Sequence, residues 1–389
     1  MTAWTIVALA SFVVWLYLVL GRGGFWLARD RDDVVPGAPA RWPDVVAVVP
    51  ARNEADVIGR SIGSLLAQNY GGHLRIVVVD DGSSDGTADV LGGAVETSGR
   101  RRLDVLQGAA PPPGWTGKLW ALEQGIRLAE TTTERAGDQP RYYLLTDADI
   151  GHAPDNVASL VARAEAENRV QVSLMAELSC ASLAERFLIP AFVYFFQMLY
   201  PFAWVRRRSG STAAAAGGCV LVQRDALRRA DGIAAVRGEI IDDCALARRL
   251  RQQGAIWLGL TRRAISLRPY GGFRQIGSMI ARSAYAQLGY SPLMLAGTIV
   301  AMMLIFVAPP LLAIAAEGAA RWGGGGAWLL MALSFQPMLR FYRCSPLWGV
   351  ALPLIAAAYL LFTVQSAVAV WSGRGGLWKG RSQAMTSSS

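Results

Sequence analysis

The residues of this chain best suited to chemistry are acidic, and they sit in clusters at the ends of apolar runs. Asp80-Asp81-Gly82-Ser83-Ser84-Asp85-Gly86-Thr87 follows the apolar run 76–79, and Asp147-Ala148-Asp149 follows the run 142–145. Runs of this kind read as buried strands, and in an open α/β sheet ligands bind at the carboxyl ends of the strands. Both clusters can therefore line one crevice. Carboxylates crowded together repel one another unless a cation joins them. A divalent ion, Mg2+ or Mn2+, shared with a nucleotide diphosphate meets that need with hard oxygen ligands.

Each position has a role in that chemistry and a structural alternative. Pro50-Ala51-Arg52-Asn53-Glu54 lies where the strand pattern 45–49 gives way to the helical pattern 53–68. Free backbone N–H groups at such a junction can face a nucleotide, with Pro50, Arg52 and Glu54 around it; the same junction also occurs at ordinary strand–helix turns. Asn53 is expected as the N-cap. Asp80 and Asp81 can accept the imide N–H of uracil and a ribose hydroxyl, or serve as turn and cap residues.

Asp147 and Asp149 are two apart and share a strand face, and Gly151 and Pro154 end the strand near them. Asp149 is the expected metal ligand and Asp147 a contact to ribose or sugar; the alternative is an acid capping the next helix. Lys118 follows Gly117 at a helix start, where a lysine can meet a phosphate or simply face water. The run does not satisfy the Walker pattern. Asp242-Asp243 opens a helix carrying Ala245, Leu246 and Leu250 and stopped by Gly254. Paired acids favour the positive helix start; alternatively one of them is a general base. Adjacent residues diverge, so Asp243 is read as the base with Asp242 beside it. Gly217-Gly218 precedes the strand-like 219–222, and at Gly218 bare backbone can approach a ligand.

These motifs need a scaffold. Between residues 41 and 290, strand patterns at 45–49, 74–79, 103–106 and 142–146 alternate with helical patterns at 53–68, 118–128 and 155–167, and 85–87 opens another helix. Such alternation predicts an α/β domain with a mainly parallel sheet flanked by helices.

The ends of the chain are different in kind. Of 389 residues, 53% are hydrophobic, and the excess is concentrated near the termini. Residues 3–20 form an uncharged run of spanning length followed by Arg22, Arg29 and Arg31, which reads as a retained anchor (1–22) rather than a cleaved signal peptide. Runs 292–316 and 347–371 are also long enough to span. A shorter run, 327–338, is flanked by Gly323–Gly326 and by Arg340 and Arg343, so region 291–372 holds two or three spans, with a basic tail at 373–389. The apolar, aromatic stretch 187–208 would, as a crossing, put Asp147 and Asp242 on opposite sides of the membrane. Pro190, Pro201 and Arg206-Arg207-Arg208 argue instead for an interfacial element, with an apolar core helix as the alternative.

A net charge of +9 suits a domain lying on anionic headgroups. No nucleic-acid-binding pattern accompanies it. Cys180, Cys219, Cys244 and Cys344 have no CxxC spacing and read as free thiols; with only two histidines, a zinc site is not indicated.

Taken together, Pro50–Glu54, Asp80–Thr87, Asp147–Asp149 and Asp242-Asp243, in that order, resemble the family-2 inverting glycosyltransferases over about residues 44–260. The resemblance implies a GT-A-like fold, a UDP-sugar donor, a divalent cation and direct displacement with inversion. Residues 114–121, 189–200, 213–219, 240–246 and the tail 373–381 look like the hopene-associated (hopanoid biosynthesis) glycosyltransferases. That closer likeness implies a triterpenoid or other membrane-lipid acceptor and a multi-pass protein of the bacterial inner membrane, its catalytic domain cytoplasmic. Many membrane members of family 2 carry Gln-x-x-Arg-Trp after the base. Here Arg282-Ser283-Ala284-Tyr285-Ala286-Gln287 stands in that region without matching, leaving Arg282, Tyr285 and Gln287 as candidate acceptor or diphosphate contacts. A polyprenyl-phosphate glycosyltransferase and a non-catalytic scaffold that retains the fold are the competing expectations. The oligomeric state is not legible.

Overall fold

Strand formation follows the apolar runs. In the computed structural model, which describes residues 2–98, 102–136, 139–373, 377–378 and 381–382, eight strands form one sheet. They are β1 (Val45–Ala51), β2 (Leu74–Asp80), β3 (Leu103–Gln107), β4 (Tyr142–Thr146), β5 (Ile150–His152), β6 (Gln171–Glu177), β7 (Cys219–Gln223) and β8 (Ile256–Ser266). Their order across the sheet is β3-β2-β1-β4-β7-β6-β8-β5. β1 pairs in parallel with β2 and β4, β2 with β3, and β6 with β8. β7 runs antiparallel to both β4 and β6, and β5 antiparallel to β8. The sheet is therefore mixed and mainly parallel.

β1 and β4 are buried throughout their length and β2 nearly so, as near-continuous apolar strands covered by helices must be. The helix Gly117–Ala136 lies close against this sheet at Gly125, where a Cβ would come 2.5 Å from Val48 Cγ1. On the other face the helices Ile58–Leu66 and Asn156–Ala166 contribute Ile58, Ile62, Leu65, Val157, Leu160 and Val161 to one core.

The first helix starts later than its apolar spacing predicts, at Ile58. Asn53 is not its N-cap. It adopts φ 52°, its N–H donates to Ser83 Oγ at 2.9 Å, and its side-chain oxygen accepts from Ser84 N at 2.9 Å. The residue fastens two loops instead of starting a helix.

The chain divides into two compact units: Asp30–Ser179, Val205–Arg268 and Leu377–Ser389 form the one that holds the sheet, and Met1–Arg29, Cys180–Trp204 and Pro269–Gly376 the other. The second is helical. Among the described residues, three helices are long and apolar enough to cross a membrane: Ala3–Leu20, Pro292–Ala315 and Leu352–Trp371. Between the last two runs Gly318–Phe341, 24 residues long, in which the glycines at 323–326 lie inside the helix and do not merely flank it. A Cβ at Gly323 would meet Ala8 Cβ at 3.1 Å, one at Gly324 the Pro309 carbonyl at 2.7 Å, and one at Gly326 the Phe12 ring at 2.8 Å. Small residues let membrane-type helices approach this closely. The stretch 187–208 is for the most part the helix Leu183–Leu199, started by an Ser182–Glu185 capping box, followed by the short helix Phe202–Val205. Of the tail 373–389, the described residues pair Leu377–Trp378 antiparallel with Arg381–Ser382; Arg374 and Lys379 lie outside the described residues.

Candidate active site

Sheet register brings the sequence motifs to one edge. Ala51 lies beside Asp80 and Val48 beside Leu145, so Pro50–Glu54, Asp80-Asp81 and Asp147–Asp149 all leave the carboxyl ends of adjacent parallel strands. β7 is antiparallel to β4, with Cys219 opposite Thr146, so its amino end, carrying Gly217-Gly218, arrives at the same edge. The Gly218 carbonyl accepts from Thr146 Oγ1 at 2.7 Å and from Asp147 N at 3.2 Å.

Asp80 and Asp81 are both buried. Asp80 Oδ1 accepts from Ser83 N at 3.0 Å and from the Ser83 hydroxyl, closing the Asp-Gly-Ser turn. Asp81 N donates to the Ala51 carbonyl at 2.8 Å, and Arg52 Nη1 stands 3.6 Å from Asp81 Oδ2 and bonds its carbonyl. The loop is drawn onto the β1 end by Thr87 Oγ1, which accepts from Glu54 N at 2.8 Å, and by Asp85, which accepts from Ala55 N at 3.0 Å.

Strand β4 ends at Thr146, ahead of both acids of the Asp147–Asp149 pair, and Ile150 N donates back to Asp147 O at 3.2 Å. The two side chains thus diverge from a turn. Asp147 meets Lys118: Nζ lies 2.8 Å from Asp147 Oδ1 and 3.6 Å from Asp242 Oδ2. Burial pulls the Lys118 ammonium down, but Asp147, Asp242 and Asp243 more than offset this and hold it charged, above its ordinary range. Among the described residues Asp149 makes no ion pair of that kind, and the Arg268 charge only partly offsets its surroundings. Burial, and then the negative charges of Asp147 and Glu54, push its carboxyl up to about 6.

Asp242 and Asp243 open the helix Asp242–Arg251. Asp243 is held on both oxygens by backbone: Oδ2 accepts from Gly217 N at 2.9 Å and Oδ1 from Cys244 N at 2.7 Å. Burial and the neighbouring Asp242 push its carboxyl up to about 6, with Lys118 acting in the opposite direction. A side chain at Gly217 would crowd the pair: a Cβ would stand 3.3 Å from Lys118 Nζ and 3.4 Å from Asp243 Oδ2. Pro50, Lys118, Asp147, Gly217, Asp242 and Asp243 line a single crevice, whose inner wall is Leu119, Leu122, Leu145, Val220 and Leu246.

Sequence reasoning missed Arg268. Its guanidinium binds Glu54 and stands 3.1 Å from Asp56 Oδ1, and its charge acts against the rise at Asp149. An arginine 214 residues from its partner leaves no local signature. Arg282, Tyr285 and Gln287 belong to the helical unit. Arg282 and Gln287 are exposed and Tyr285 is buried; the Tyr285 hydroxyl donates to Tyr290 O at 2.7 Å, and Gln287 Nε2 to the Tyr200 hydroxyl at 2.7 Å.

Among the described residues, no three acidic, histidine or cysteine side chains cluster closely enough to hold a metal ion by themselves. A Mg2+- or Mn2+-type ion commonly takes one or two carboxylates and completes its shell with phosphate oxygens and water. The half-buried Asp149 carboxyl, raised by desolvation and then by its acidic neighbours, fits that pattern.

Residues 46–230 match the family described as Glycosyl transferase family 2. The "Succinoglycan biosynthesis protein ExoO" of Rhizobium meliloti is 35% identical over 131 residues, covering 34% of this chain and 32% of that protein. An "N-acetylglucosaminyltransferase" of Mesorhizobium japonicum is 27% identical over 198 residues, 49% of this chain and 42% of the relative. Both matches span less than half the length of those relatives. Among solved structures, the mannosyltransferase PcManGT from Pyrobaculum calidifontis, in complex with GDP-Man and Mn2+, is similar with a TM-score of 0.57 at 20% identity, over 94% of this chain and 99% of the other. That likeness bears on the fold, which is GT-A-like as the motifs imply.

Proposed function

We propose that the chain is a membrane-bound inverting glycosyltransferase that moves one sugar from a UDP-sugar to the hydroxyl of a membrane lipid. The observation carrying this reading is the gathering of Asp80-Asp81, Asp147–Asp149, Lys118 and Asp242-Asp243 at one sheet edge. In this scheme Asp80 and Asp81 receive the N–H and hydroxyl donors of the nucleoside, and Pro50, Arg52, Glu54 and Gly218 border it. Asp149, with the diphosphate oxygens, would hold Mg2+ or Mn2+, which when bound would supply positive charge beside the leaving diphosphate. Lys118 fixes Asp147 and Asp242 and adds positive charge beside the diphosphate.

Asp243 is the general base. A carboxyl pushed up to about 6 is ionised at neutral pH and yet more basic than an ordinary aspartate, which suits proton abstraction. The acceptor oxygen forms its bond to the sugar carbon as the bond from that carbon to the diphosphate oxygen breaks. The acceptor proton passes to Asp243, and the bonding pair leaves with the nucleoside diphosphate.

A lipid acceptor is supported by the three helices of spanning length. Its assignment as a hopanoid rests only on the resemblance of residues 114–121, 189–200, 213–219, 240–246 and 373–381. The proposed location is the bacterial cell membrane, multi-pass, with the sheet unit on the cytoplasmic side and 187–208 at the interface. Guanine also offers N–H donors to a carboxylate, and the archaeal neighbour was solved with GDP-Man; both nucleotides therefore belong in the test. The full-length protein in detergent is titrated calorimetrically with UDP and GDP, with and without Mn2+. It is then incubated with UDP- and GDP-sugars and a bacterial lipid extract, and products are read by mass spectrometry. A glycosylated lipid alcohol is the expected product. A glycosyl polyprenyl phosphate would replace the acceptor, and absence of metal-dependent nucleotide binding would leave only a scaffold.

A further inference from the structure

The four cysteines fall into two kinds. Cys219 and Cys244 are buried, whereas Cys180 and Cys344 are partly exposed. The sulfurs of Cys180 and Cys344 lie 3.5 Å apart although 164 residues separate them. Both are in the helical unit and outside its long apolar helices. Their backbones are tied down. Cys180 stands two residues before Ser182, the N-cap of Leu183–Leu199, where Glu185 accepts from Ala181 N at 2.9 Å and Ser182 N at 2.8 Å. Glu185 also accepts from Tyr270 N at 2.8 Å. Cys344 follows the helix Gly318–Phe341 and donates its N–H to Leu339 O at 2.8 Å. The hydrogen bond from the Cys180 thiol, and then the nearby Arg186 charge, draw the Cys344 thiol below its ordinary range against burial. The thiolate is the nucleophilic form.

We propose that Cys180 and Cys344 are a redox-sensitive dithiol, closed to an intramolecular disulfide by a small disulfide oxidant such as oxidised glutathione. The Cys344 thiolate attacks one glutathione sulfur, breaking the glutathione S–S bond and expelling a glutathione thiolate. The Cys180 sulfur then attacks the Cys344 sulfur of the mixed disulfide and expels the second glutathione. The two cysteine protons end on the two glutathione thiols, so two electrons pass from the protein to the oxidant. A disulfide has sulfurs about 2.05 Å apart, so closure brings the two sulfurs together by about 1.5 Å from their 3.5 Å separation. The product ties the entry to Leu183–Leu199 to the turn after Gly318–Phe341. Closing so long a loop restricts the unfolded chain and raises stability.

The test uses the full-length protein in detergent, reduced and then incubated with oxidised glutathione. Remaining thiols are blocked with N-ethylmaleimide and peptides read by mass spectrometry. The expected result is a Cys180–Cys344 cross-linked peptide two hydrogens lighter than the reduced pair, a raised melting temperature, and reversal by dithiothreitol, with Cys219 and Cys244 unmodified in the folded protein. In C180S, glutathione should remain on Cys344, because the resolving thiol is gone. The proposal is overturned if both thiols of the wild type carry maleimide after oxidant, if glutathione stays on Cys344 in the wild type, or if only intermolecular disulfides form.

Discussion

Lys118→Met is the sharpest perturbation of the site, since it keeps most of the side-chain stem and deletes the charge. In the wild type the ammonium stands 2.8 Å from Asp147 and 3.6 Å from Asp242, and it opposes the upward shift of Asp243. Two unit charges about 4 Å apart interact by about 1 kcal/mol in water and about 4 kcal/mol at an effective dielectric near 20. Asp243 lies farther from Lys118 than those two carboxylates, and one pKa unit corresponds to about 1.4 kcal/mol, so losing Lys118 should raise Asp243 by roughly 1 unit and at most about 3. The sign follows from the role: the base acts as a carboxylate, so kcat/KM climbs as pH rises through the pKa of Asp243. With that carboxyl at about 6, the acid limb of the wild-type profile should be half-maximal near that pH. In Lys118→Met it should move to roughly pH 7 to 9, while Lys118→Arg, which keeps a cation, should leave it within about half a unit. The assay is initial-rate kcat/KM for transfer from one donor between about pH 5 and 9, which reports pKa values of the free enzyme. Circular dichroism would verify the fold at each pH. A folded Lys118→Met variant whose acid limb does not move would refute the reasoning, because the titrating base would then lie outside the field of Lys118.

Three further predictions follow from the geometry. Asp243→Asn should lower transfer by about 10²- to 10⁴-fold while calorimetric donor binding persists; near-normal turnover would remove the base assignment or point to a phosphate acceptor. An amide cannot accept on both sides, so the same variant should lose about 1–3 kcal/mol of stability through an unpartnered N–H of Gly217 or Cys244, measured by denaturant unfolding. Asp149→Asn should abolish the Mn2+-dependent part of nucleotide binding and leave the metal-free part intact, both read by calorimetry. In the helical unit, Gly324→Ala places a methyl 2.7 Å from the Pro309 carbonyl and 2.8 Å from Leu312 Cβ, whereas Gly325→Ala meets nothing within 4 Å. Overpacking costs about 1–3 kcal/mol, so the first should lower the melting temperature, and the second should raise it slightly by up to about 1 kcal/mol of helix propensity.

Strands whose sequence is a continuous apolar run were legible: β1, β2, β4 and β7 lie where their Val, Ile and Leu residues place them. β8 was not, because Thr261-Arg262-Arg263 interrupts its apolar run with polar and charged residues. It continues as strand because Arg263 is paired with Asp155 at 2.9 Å and Asp32 at 3.3 Å, neither of them near it in sequence. β6 was also left unassigned, and it is held between β7 and β8 by pairings of both directions. The same distinction runs through the site. Local patterns placed Lys118 at a helix start, but its carboxylate partners come from β4 and from the helix Asp242–Arg251. Asn53 looked like a cap because Asn, Glu and an apolar period follow one another; its actual partners, Ser83 and Ser84, lie in another loop. Arg268 had no local signal. The glycines at 323–326 looked like a helix boundary, but they lie inside Gly318–Phe341, where neighbouring helices crowd 323, 324 and 326.

The antiparallel strand β7 beside β4 has an evolutionary corollary. In the proposed scheme most groups that recognise the donor come from the first half of the sheet unit, Gly218 excepted, and the proton acceptor arrives from a later stretch that the Lys118–Asp242 pair holds against it. Donor choice and acceptor chemistry are thus written in separable parts of the gene. A lineage could recombine or diversify the later stretch and explore new acceptors without relearning how to hold a nucleotide.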